Sequence, residues 1–180
     1  MLQIRFQGRG GQGAQTAGYI LASTFFQAGK YVQAYSTYGG ARRGTAVSTF
    51  IRVDDKPIRL RCDIENPDAI VCFDSSLLNE ALLKGATGDT VVLISSSHPP
   101  EHFQDLGDYQ LATIDGLKIA QANNLGRIVN SALVGAFAGL LQSPDIDLLT
   151  RVVKEMSPVK VQENAQACLD GYRMVQKRKR

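Results

Sequence analysis

The stretch QGRGGQGAQTA, residues 7–17, contains four glycines and follows directly on the apolar segment LQIRF at residues 2–6. Glycine adopts positive φ angles easily and lets other atoms approach the backbone closely, so the stretch predicts a tight turn after a short strand. Residues 15–28 carry apolar side chains at i, i+3 and i+4 spacing up to Gly29, which predicts a helix ended by glycine. YVQAYSTY at residues 31–38 is typical of a second strand. This order of strand, glycine turn, helix and strand predicts a parallel β-α-β unit and decides the fold class.

The rest of the chain adds strands and helices that extend this unit. Residues 69–74 and 90–95 are continuously apolar, as in parallel strands covered on both faces. TAVSTFIRV (45–53) and KPIRL (56–60) predict a β-hairpin with a tight turn between them. We therefore predict a single three-layer α/β domain over residues 1–180, with a mostly parallel, doubly wound, Rossmann-like sheet plus a β-hairpin. Further predicted elements are a weak strand at 110–114, helices at 77–84, 116–123, 130–141, 146–155 and 161–176, and a flexible basic tail at 176–180.

Composition and charge limit the classes of function. The 180 residues have a net charge of +3, which depends on the last four residues, KRKR, so we expect no nucleic acid as partner. No apolar run reaches the roughly 18 residues of a membrane span, so we expect no membrane partner. The cysteines are Cys62, Cys72 and Cys168, an odd number without a C-x-x-C pair. We therefore expect a cytoplasmic protein that holds no zinc or iron–sulfur cluster by itself.

The glycine stretch is the first candidate binding site. Gly8, Gly10 and Gly13 fit G-x-G-x-x-G between a predicted strand and a predicted helix, whose first N–H groups could bind an anion. A dinucleotide site also needs an acidic residue about 20 positions further on, and residues 30–53 contain neither Asp nor Glu. Two interpretations stay open. Either Gly10, Gly11, Gln12 and Gly13 bind an anionic ligand, or the glycines only allow close packing.

A second glycine-rich loop follows the second predicted strand. It carries Tyr38, Arg42 and Arg43 within STYGGARRG, residues 36–44. At the carboxyl edge of a parallel sheet this loop would lie beside the first glycine stretch, where α/β proteins bind ligands. Guanidinium groups suit phosphates and carboxylates. The alternative is a surface loop with solvated arginines.

Other candidates for catalysis or metal binding are weaker. His98 and His102 are four residues apart, but Pro99 and Pro100 between them argue against a regular helix, so we expect no metal site there. Asp74, at the end of a predicted buried strand, lies at a plausible site edge or caps the next helix. No local motif combines a nucleophile with its base. We therefore predict no catalytic residue and no metal ligand on this chain.

Several segments together resemble one protein family, the gamma subunit or gamma domain of the 2-oxoacid:ferredoxin oxidoreductases, the group that includes pyruvate synthase. The resemblance covers nearly the whole chain in order, and a G-x-G-G-Q-G stretch with a downstream R-R-G loop is far more specific than a lone glycine motif. One position departs from the family pattern, because Ala41 stands where many members have Glu before the arginine pair. The segments are residues 4–22, 35–53, 56–59, 67–74, 130–141 and 160–172.

The resemblance implies a function that other chains complete. The gamma chain would help receive coenzyme A during oxidative decarboxylation of a 2-oxoacid, such as pyruvate or 2-oxoglutarate, with electrons passed to ferredoxin. Thiamine diphosphate with Mg would belong to the alpha and beta subunits, and iron–sulfur clusters to beta and a ferredoxin-like delta subunit, so this chain alone would hold no cofactor and would be inactive alone. The alternatives are a non-catalytic interaction protein with structural glycine loops and a free-standing nucleotide-binding oxidoreductase. The candidate ligand-binding residues are Gly10, Gly11, Gln12, Gly13, Tyr38, Arg42 and Arg43.

Overall fold

A seven-stranded sheet forms the centre of the protein in the computed structural model, which describes residues 1–39 and 45–178. The strands are β1 (Leu2–Arg9), β2 (Tyr31–Tyr38), β3 (Ala46–Asp54), β4 (Ala69–Cys72), β5 (Val91–Ser95), β6 (Gln110–Ile114) and β7 (Gln176–Lys177). Their order across the sheet is β2-β3-β1-β4-β5-β6-β7.

Helices connect most of these strands. They are α1 (Ala14–Gln27), α2 (Glu80–Leu83), α3 (Gly116–Ala122), α4 (Asn130–Leu141), α5 (Ile146–Met156) and α6 (Val161–Met174), with 3₁₀ segments at Ser75–Leu77 and Pro100–Leu106. The helix predicted at 77–84 is therefore much shorter than expected, and its first part is a 3₁₀ segment. The glycine expected to end α1 is in place, because Gly29 has a φ of 80° and its N–H donates to the carbonyl oxygen of Phe26.

Most strands of the sheet run in one direction. β4 pairs parallel with β1, β5 with β4, and β6 with β5. β3 pairs antiparallel with both β1 and β2, so β2 runs in the direction of β1, and β7 is antiparallel to β6. Only β3 and β7 oppose the other five strands. The predicted α/β fold with a mostly parallel sheet is confirmed.

The predicted β-α-β unit is present, since β1 and β2 run in one direction and are joined by α1, although β3 lies between them and forms a ladder with each. The predicted hairpin of residues 45–53 with residues 56–60 is wrong. The hairpin partner of β3 is β2, and residues 56–60 form no strand. Pro57 has no N–H to donate to a ladder. The chain after β3 instead crosses one face of the sheet, where the carbonyl oxygens of Cys62 and Ile64 accept hydrogen bonds from Arg52 and Arg5.

Helices cover the two faces of the sheet unequally. The larger apolar core lies on the face covered by α1, α4, α5 and α6, and includes Phe6, Val71 and Phe137. The smaller core lies on the opposite face, where Leu82 and Leu83 of α2 pack with Ile70 and other residues of the sheet. The chain thus leaves β1 toward one face and β4 toward the other, so β1 and β4 flank a topological switch point.

The C-terminal segment departs from the expected flexible tail at 176–180. Helix α6 ends at Met174, and Gln176 and Lys177 then pair with β6. The N–H of Arg178 donates a 3.0 Å hydrogen bond to the carbonyl oxygen of Leu111. Residues 179 and 180 lie outside the described residues. Within the ranges that the structure describes, no helix has both the length and the apolar composition that crossing a membrane would require.

Candidate ligand-binding cleft

The glycine turn, residues 10–13, lies between the end of β1 and the start of α1, as predicted. Gly11 and Gly13 have φ angles of 97° and 81°, a region that side chains adopt only with strain. The N–H of Gly10 donates a 2.9 Å hydrogen bond to the carbonyl oxygen of Thr45, just before β3. The turn therefore contacts the residue that directly follows the second glycine-rich loop.

The glycines of this region serve different purposes. A Cβ on Gly8 would lie 2.8 Å from the Cβ of Ala14, and one on Gly13 would lie 3.1 Å from the Cβ of Asn130, the first residue of α4. Close packing of α1 and α4 therefore accounts for these two positions. A Cβ on Gly11 would meet no described atom within 4 Å. Packing against the described residues leaves Gly11 unexplained, since this residue is exposed.

A cleft of about 840 Å³ opens beside the glycine turn. It lies at the carboxyl ends of β1, β4, β5 and β6, and so at the topological switch point between β1 and β4, the usual position of ligands in α/β sheets. The turn contributes Gly10, Gly11 and Gln12, and the ends of the next two strands contribute Asp74 and Ser95–Ser97.

A hydrogen-bonded network centred on Asp74 holds the turn beside the cleft. The side chain of Gln12 accepts a 2.7 Å hydrogen bond from the N–H of Arg9 and donates one of 3.3 Å to Oδ2 of Asp74. The same oxygen lies 3.2 Å from Nε of Arg9. Oδ1 of Asp74 accepts hydrogen bonds from Oγ and from the N–H of Ser76, so Asp74 also caps the 3₁₀ segment. These bonds, first that from the Ser76 hydroxyl, lower the pKa of the Asp74 carboxyl.

Two further cations line the cleft. Lys118 of α3 and Arg127 of the loop before α4 both line it and are exposed. Neither has an ion-pair partner among the residues that the structure describes. Asp115, which also lines the cleft, accepts a hydrogen bond from the N–H of Lys118 as the cap of α3. The two cations favour a ligand with negative charge.

Sequence reasoning missed much of this cleft. It did not identify Ser95–Ser97, Lys118 or Arg127. Three consecutive serines at the end of a buried strand could have indicated a binding site. Arg127 follows no strand and carries no motif, and only the tertiary structure brings it to the cleft. Asp74 was identified with two possible roles. It has both, since it lines the cleft and caps the next segment.

The predicted residues of the second loop are only partly described. Tyr38 ends β2 and is 58 % exposed, and it does not line the cleft. Gly39, next to it, donates a hydrogen bond to the carbonyl oxygen of Ala46. Arg42 and Arg43 lie outside the described residues, so their part in a binding site stays a prediction.

The two histidines lie near the end of β5. The rings of His98 and His102 are exposed and stack with centroids 4.2 Å apart and planes at 18°. His102 belongs to the 3₁₀ segment Pro100–Leu106, in agreement with the expectation that the prolines prevent a regular helix. Over residues 1–39 and 45–178, no group of three His, Cys, Asp or Glu residues could hold a metal ion.

The known proteins that resemble this chain do so over nearly its whole length, and they belong to one family. Residues 3–174 match the family model of pyruvate ferredoxin/flavodoxin oxidoreductase. Pyruvate synthase subunit PorC of Methanothermobacter thermautotrophicus is 43 % identical over 180 residues, covering 98 % of this chain and 97 % of the relative. The pyruvate/ketoisovalerate oxidoreductases common subunit gamma of Thermococcus kodakarensis is 37 % identical, covering 96 % of each chain.

A solved structure with a similar fold also covers nearly the full length. The crystal structure of pyruvate oxidoreductase subunit PORC from Thermotoga maritima superimposes with a TM-score of 0.89 at 29 % identity, covering 99 % of this chain and 98 % of that chain. The length, strand order and helices described above therefore recur together in a known structure.

Proposed function

The chain belongs to the pyruvate ferredoxin/flavodoxin oxidoreductase family as a gamma-type subunit, and we propose that it serves a multi-subunit enzyme that oxidises pyruvate. The resemblance seen in the sequence is confirmed at the level of the family. In the proposed reaction, pyruvate and coenzyme A give acetyl-CoA, carbon dioxide and a proton, while two ferredoxin molecules each accept one electron. The choice of pyruvate is supported by the 43 % identity to a pyruvate synthase subunit.

The contribution of this chain is the cleft beside the glycine turn, which we propose receives the phosphates of coenzyme A. One observation carries this proposal: Gly11 is exposed, has no described atom within 4 Å of its Cβ position, and lines a switch-point cleft together with two cations that have no ion-pair partner among the described residues. Because Gly10 and Gly11 carry no side chain, a ligand can approach the backbone N–H groups of the turn, and Lys118 and Arg127 attract its negative charge. Arg42 and Arg43 would add guanidinium donors from the second loop, and Tyr38 an aromatic surface at its start.

We propose that the remaining chemistry belongs to partner subunits. Thiamine diphosphate with Mg would be held by alpha and beta subunits, and iron–sulfur clusters by beta and delta, so residues 1–180 act as one gamma-type domain that completes the active site. We also propose a cytoplasmic complex, and the three free cysteines agree with a reducing compartment. Ferredoxin would accept the electrons from the complex, not from this chain.

Purification of the complex from its natural source tests the assignment. A tag on this chain should bring down alpha, beta and delta subunits, and the complex should reduce viologen with pyruvate in the presence of coenzyme A. The chain alone should show neither this activity nor cluster absorbance. A panel with 2-oxoglutarate and 2-oxoisovalerate tests the substrate, and a clear preference for either would replace pyruvate. Unrelated partners without viologen reduction would favour the interaction protein.

Arg43→Ala tests whether the second loop binds the ligand. Loss of a charge-assisted hydrogen bond costs about 1.5–3 kcal/mol, which corresponds to a roughly 10- to 100-fold higher KM for coenzyme A. Assembly should not change. Arg59→Ala removes another arginine, exposed and after β3, and serves as the matched control. If Arg43→Ala disrupts assembly and leaves KM unchanged, the loop is a subunit interface.

A further inference from the structure

The edge of the sheet formed by β2 has backbone groups without partners. β2 lies at one end of the strand order and pairs with β3 alone among residues 1–39 and 45–178. The N–H of Gly39 donates to the carbonyl oxygen of Ala46, and hydrogen-bonded pairs alternate along an antiparallel ladder, so the odd-numbered residues of β2 bond to β3. The backbone N–H and C=O groups that point outward, with no bond to a described residue, are those of Val32, Ala34, Ser36 and Tyr38.

This edge lacks the features that protect edge strands from pairing with other chains. Such strands usually carry a charged residue, a proline or a bulge. β2 contains no charged residue and no proline, and its eight residues pair with β3 without interruption. Residues 10–41 contain one charged residue, Lys30, although 21 % of the whole chain is charged. Lys30 forms an ion pair with Asp55. The outer surface of this region therefore has the depletion of charge that is typical of protein interfaces.

Helix α1 extends the uncharged surface above the edge. It packs over β2 and β3 and contacts α4 and α5 on the flank that faces the middle of the sheet. The opposite flank faces the β2 edge and carries Gln15, Tyr19, Ser23 and Phe26 at helical spacing. Tyr19 is 37 % exposed and Phe26 is 71 % exposed. Aromatic side chains of this kind are enriched in interfaces between proteins.

We infer that β2 pairs antiparallel with β2 of a second copy of this chain, across a two-fold axis perpendicular to the sheet. A register centred on Tyr35 places Val32 opposite Tyr38 of the second copy and Ala34 opposite Ser36 of the second copy. All four outward residues of each strand then have partners, and each pair exchanges two hydrogen bonds. The two sheets become one continuous sheet, and no open edge is left at β2.

The absence of charge favours a second copy as the occupant. A two-fold axis places the same surface on both sides of an interface, so a charge near the axis would meet its own copy. This surface has none to repel. A different protein is commonly selected by complementary charge, and the edge and the α1 flank offer none.

The position of α1 fits the same axis. Gly18 packs against Thr49, which pairs with Ser36, so Tyr19 lies beside the middle of β2. From the strand spacing of about 4.8 Å, the α1 helices of two copies would be about 10–14 Å apart, a gap that Tyr19 and Phe26 can fill. The surface is about 25 Å long and about 20 Å deep across one strand and one helix. Both copies together would bury about 1,000 Å², the size at which specific interfaces begin.

The mass of the full chain in solution and its amide exchange test this pairing together. Sedimentation equilibrium should give twice the 19.6 kDa of one chain. Hydrogen exchange followed by NMR should show slow exchange at residues 32, 34, 36 and 38 as well as at 33, 35 and 37, which bond to β3. A monomer in which only the odd-numbered amides exchange slowly overturns the inference.

Charged variants of Tyr19 test the two-fold axis. Tyr19→Lys and Tyr19→Glu each place like charges near the axis, so we expect the dissociation constant of the dimer to rise at least tenfold, and less at high salt. An equal mixture of the two variants should form dimers again, because each lysine then meets a glutamate. Met174→Lys is the control, since Met174 is 51 % exposed and ends α6 just before β7, at the opposite edge of the sheet. Wild-type association of both variants, or no recovery in the mixture, contradicts the pairing.

A different occupant gives a different result. If the chain alone stays monomeric and the outward amides of β2 become protected only in the complex with other subunits, one of those subunits covers the edge and the inference is wrong. The proposed function does not depend on this pairing. Viologen reduction by the complex and its KM for coenzyme A test that function separately.

Discussion

Glycines are concentrated in two regions of the molecule, the contact of α4 with α6 and the turn between β1 and α1. In the first region a Cβ on Gly135 would overlap the carbonyl oxygen of Cys168, and one on Gly171 would overlap that of Ala132. A Cβ on Gly139 would lie 2.5 Å from the carbonyl oxygen of Tyr172. These glycines let two helix backbones touch. In the turn, Gly11 has no described atom within 4 Å of its Cβ position, and only its φ of 97° favours glycine.

The difference shows that glycine can allow two helices to pack closely in one region and can leave the backbone open to a ligand in another. The α4–α6 glycines have a neighbour already in place, so a Cβ there costs stability whatever the protein binds. Gly11 has no such neighbour among residues 1–39 and 45–178, so we expect a Cβ there to cost only backbone strain in the free chain. Any larger effect must come from a molecule that approaches the turn. Stability measured on the free chain and function measured in the complex can therefore be separated.

Gly135→Ala should give the largest loss of stability. The new methyl group would meet a backbone carbonyl that cannot rotate away, so the two helices must separate, at about 3 kcal/mol. Chemical denaturation of the free chain measures this loss. If Gly135→Ala lowers the free energy of unfolding by less than an alanine substitution at a solvent-facing glycine, the α4–α6 contact adjusts to the methyl group. The two glycine regions would then not differ in this respect.

The reactivity of the Cys168 thiol is a local measure of whether α4 and α6 separate in Gly135→Ala. Burial raises the pKa of the Cys168 thiol and that of the Cys72 thiol to about 12, so both should react slowly with a disulfide reagent while exposed Cys62 reacts at once. In Gly135→Ala we expect faster reaction at Cys168 and no change at Cys72. Equal acceleration of both would indicate global unfolding.

Gly11→Ala and Gly29→Ala should lower the stability of the free chain by similar amounts, smaller than that for Gly135→Ala. Both residues have positive φ, 97° and 80°, and neither Cβ would meet a described atom within 4 Å. Strain alone predicts a loss of about 1–2 kcal/mol for each. Gly29 lies at the opposite end of α1 and is therefore the matched control. A much larger loss for Gly11 in denaturation of the free chain would mean that the turn is packed after all.

Asp74→Asn should give the smallest change, about 1 kcal/mol at neutral pH. The amide oxygen can keep the Ser76 bonds made at Oδ1, while the NH₂ that replaces Oδ2 no longer accepts from Gln12 and the charge facing Arg9 is lost. The Asp74 pKa is lowered from 3.8 in the folded chain. Its charged form therefore stabilises the fold fully above about pH 5, and this contribution is lost as pH falls through the lower folded value. The melting-temperature difference between wild type and variant should shrink in acid. A constant difference down to pH 2 would contradict this role for the Asp74 charge.

Local patterns in the sequence were enough for much of the fold. The 3.6-residue periodicity and Gly29 located α1 to within one residue at each end, and the apolar runs located β4 and β5. The position of β3 within the sheet could not be predicted from local patterns, because a strand with alternating buried and exposed residues can pair at the edge of a sheet or in its middle. The proline at 57 was the available sign that the following segment is not a strand.

The binding cleft was predictable only where it follows a motif. The glycine turn was located from its glycines, but its contact with Asn130 joins residues more than a hundred positions apart and depends on how α4 packs. Lys118 and Arg127 line the cleft because of the way in which α3 and the loop after it fold back toward the glycine turn. No spacing of residues in the sequence predicts this arrangement, so only the structure identifies the two residues.

The most direct test of the account is the KM for coenzyme A in the assembled complex carrying Gly11→Ala. Because Gly11 is exposed and lines the cleft, we expect a KM at least tenfold higher, with assembly intact and with Gly29→Ala behaving as wild type. An unchanged KM for Gly11→Ala in a correctly assembled complex would contradict the claim that the glycine turn receives this ligand.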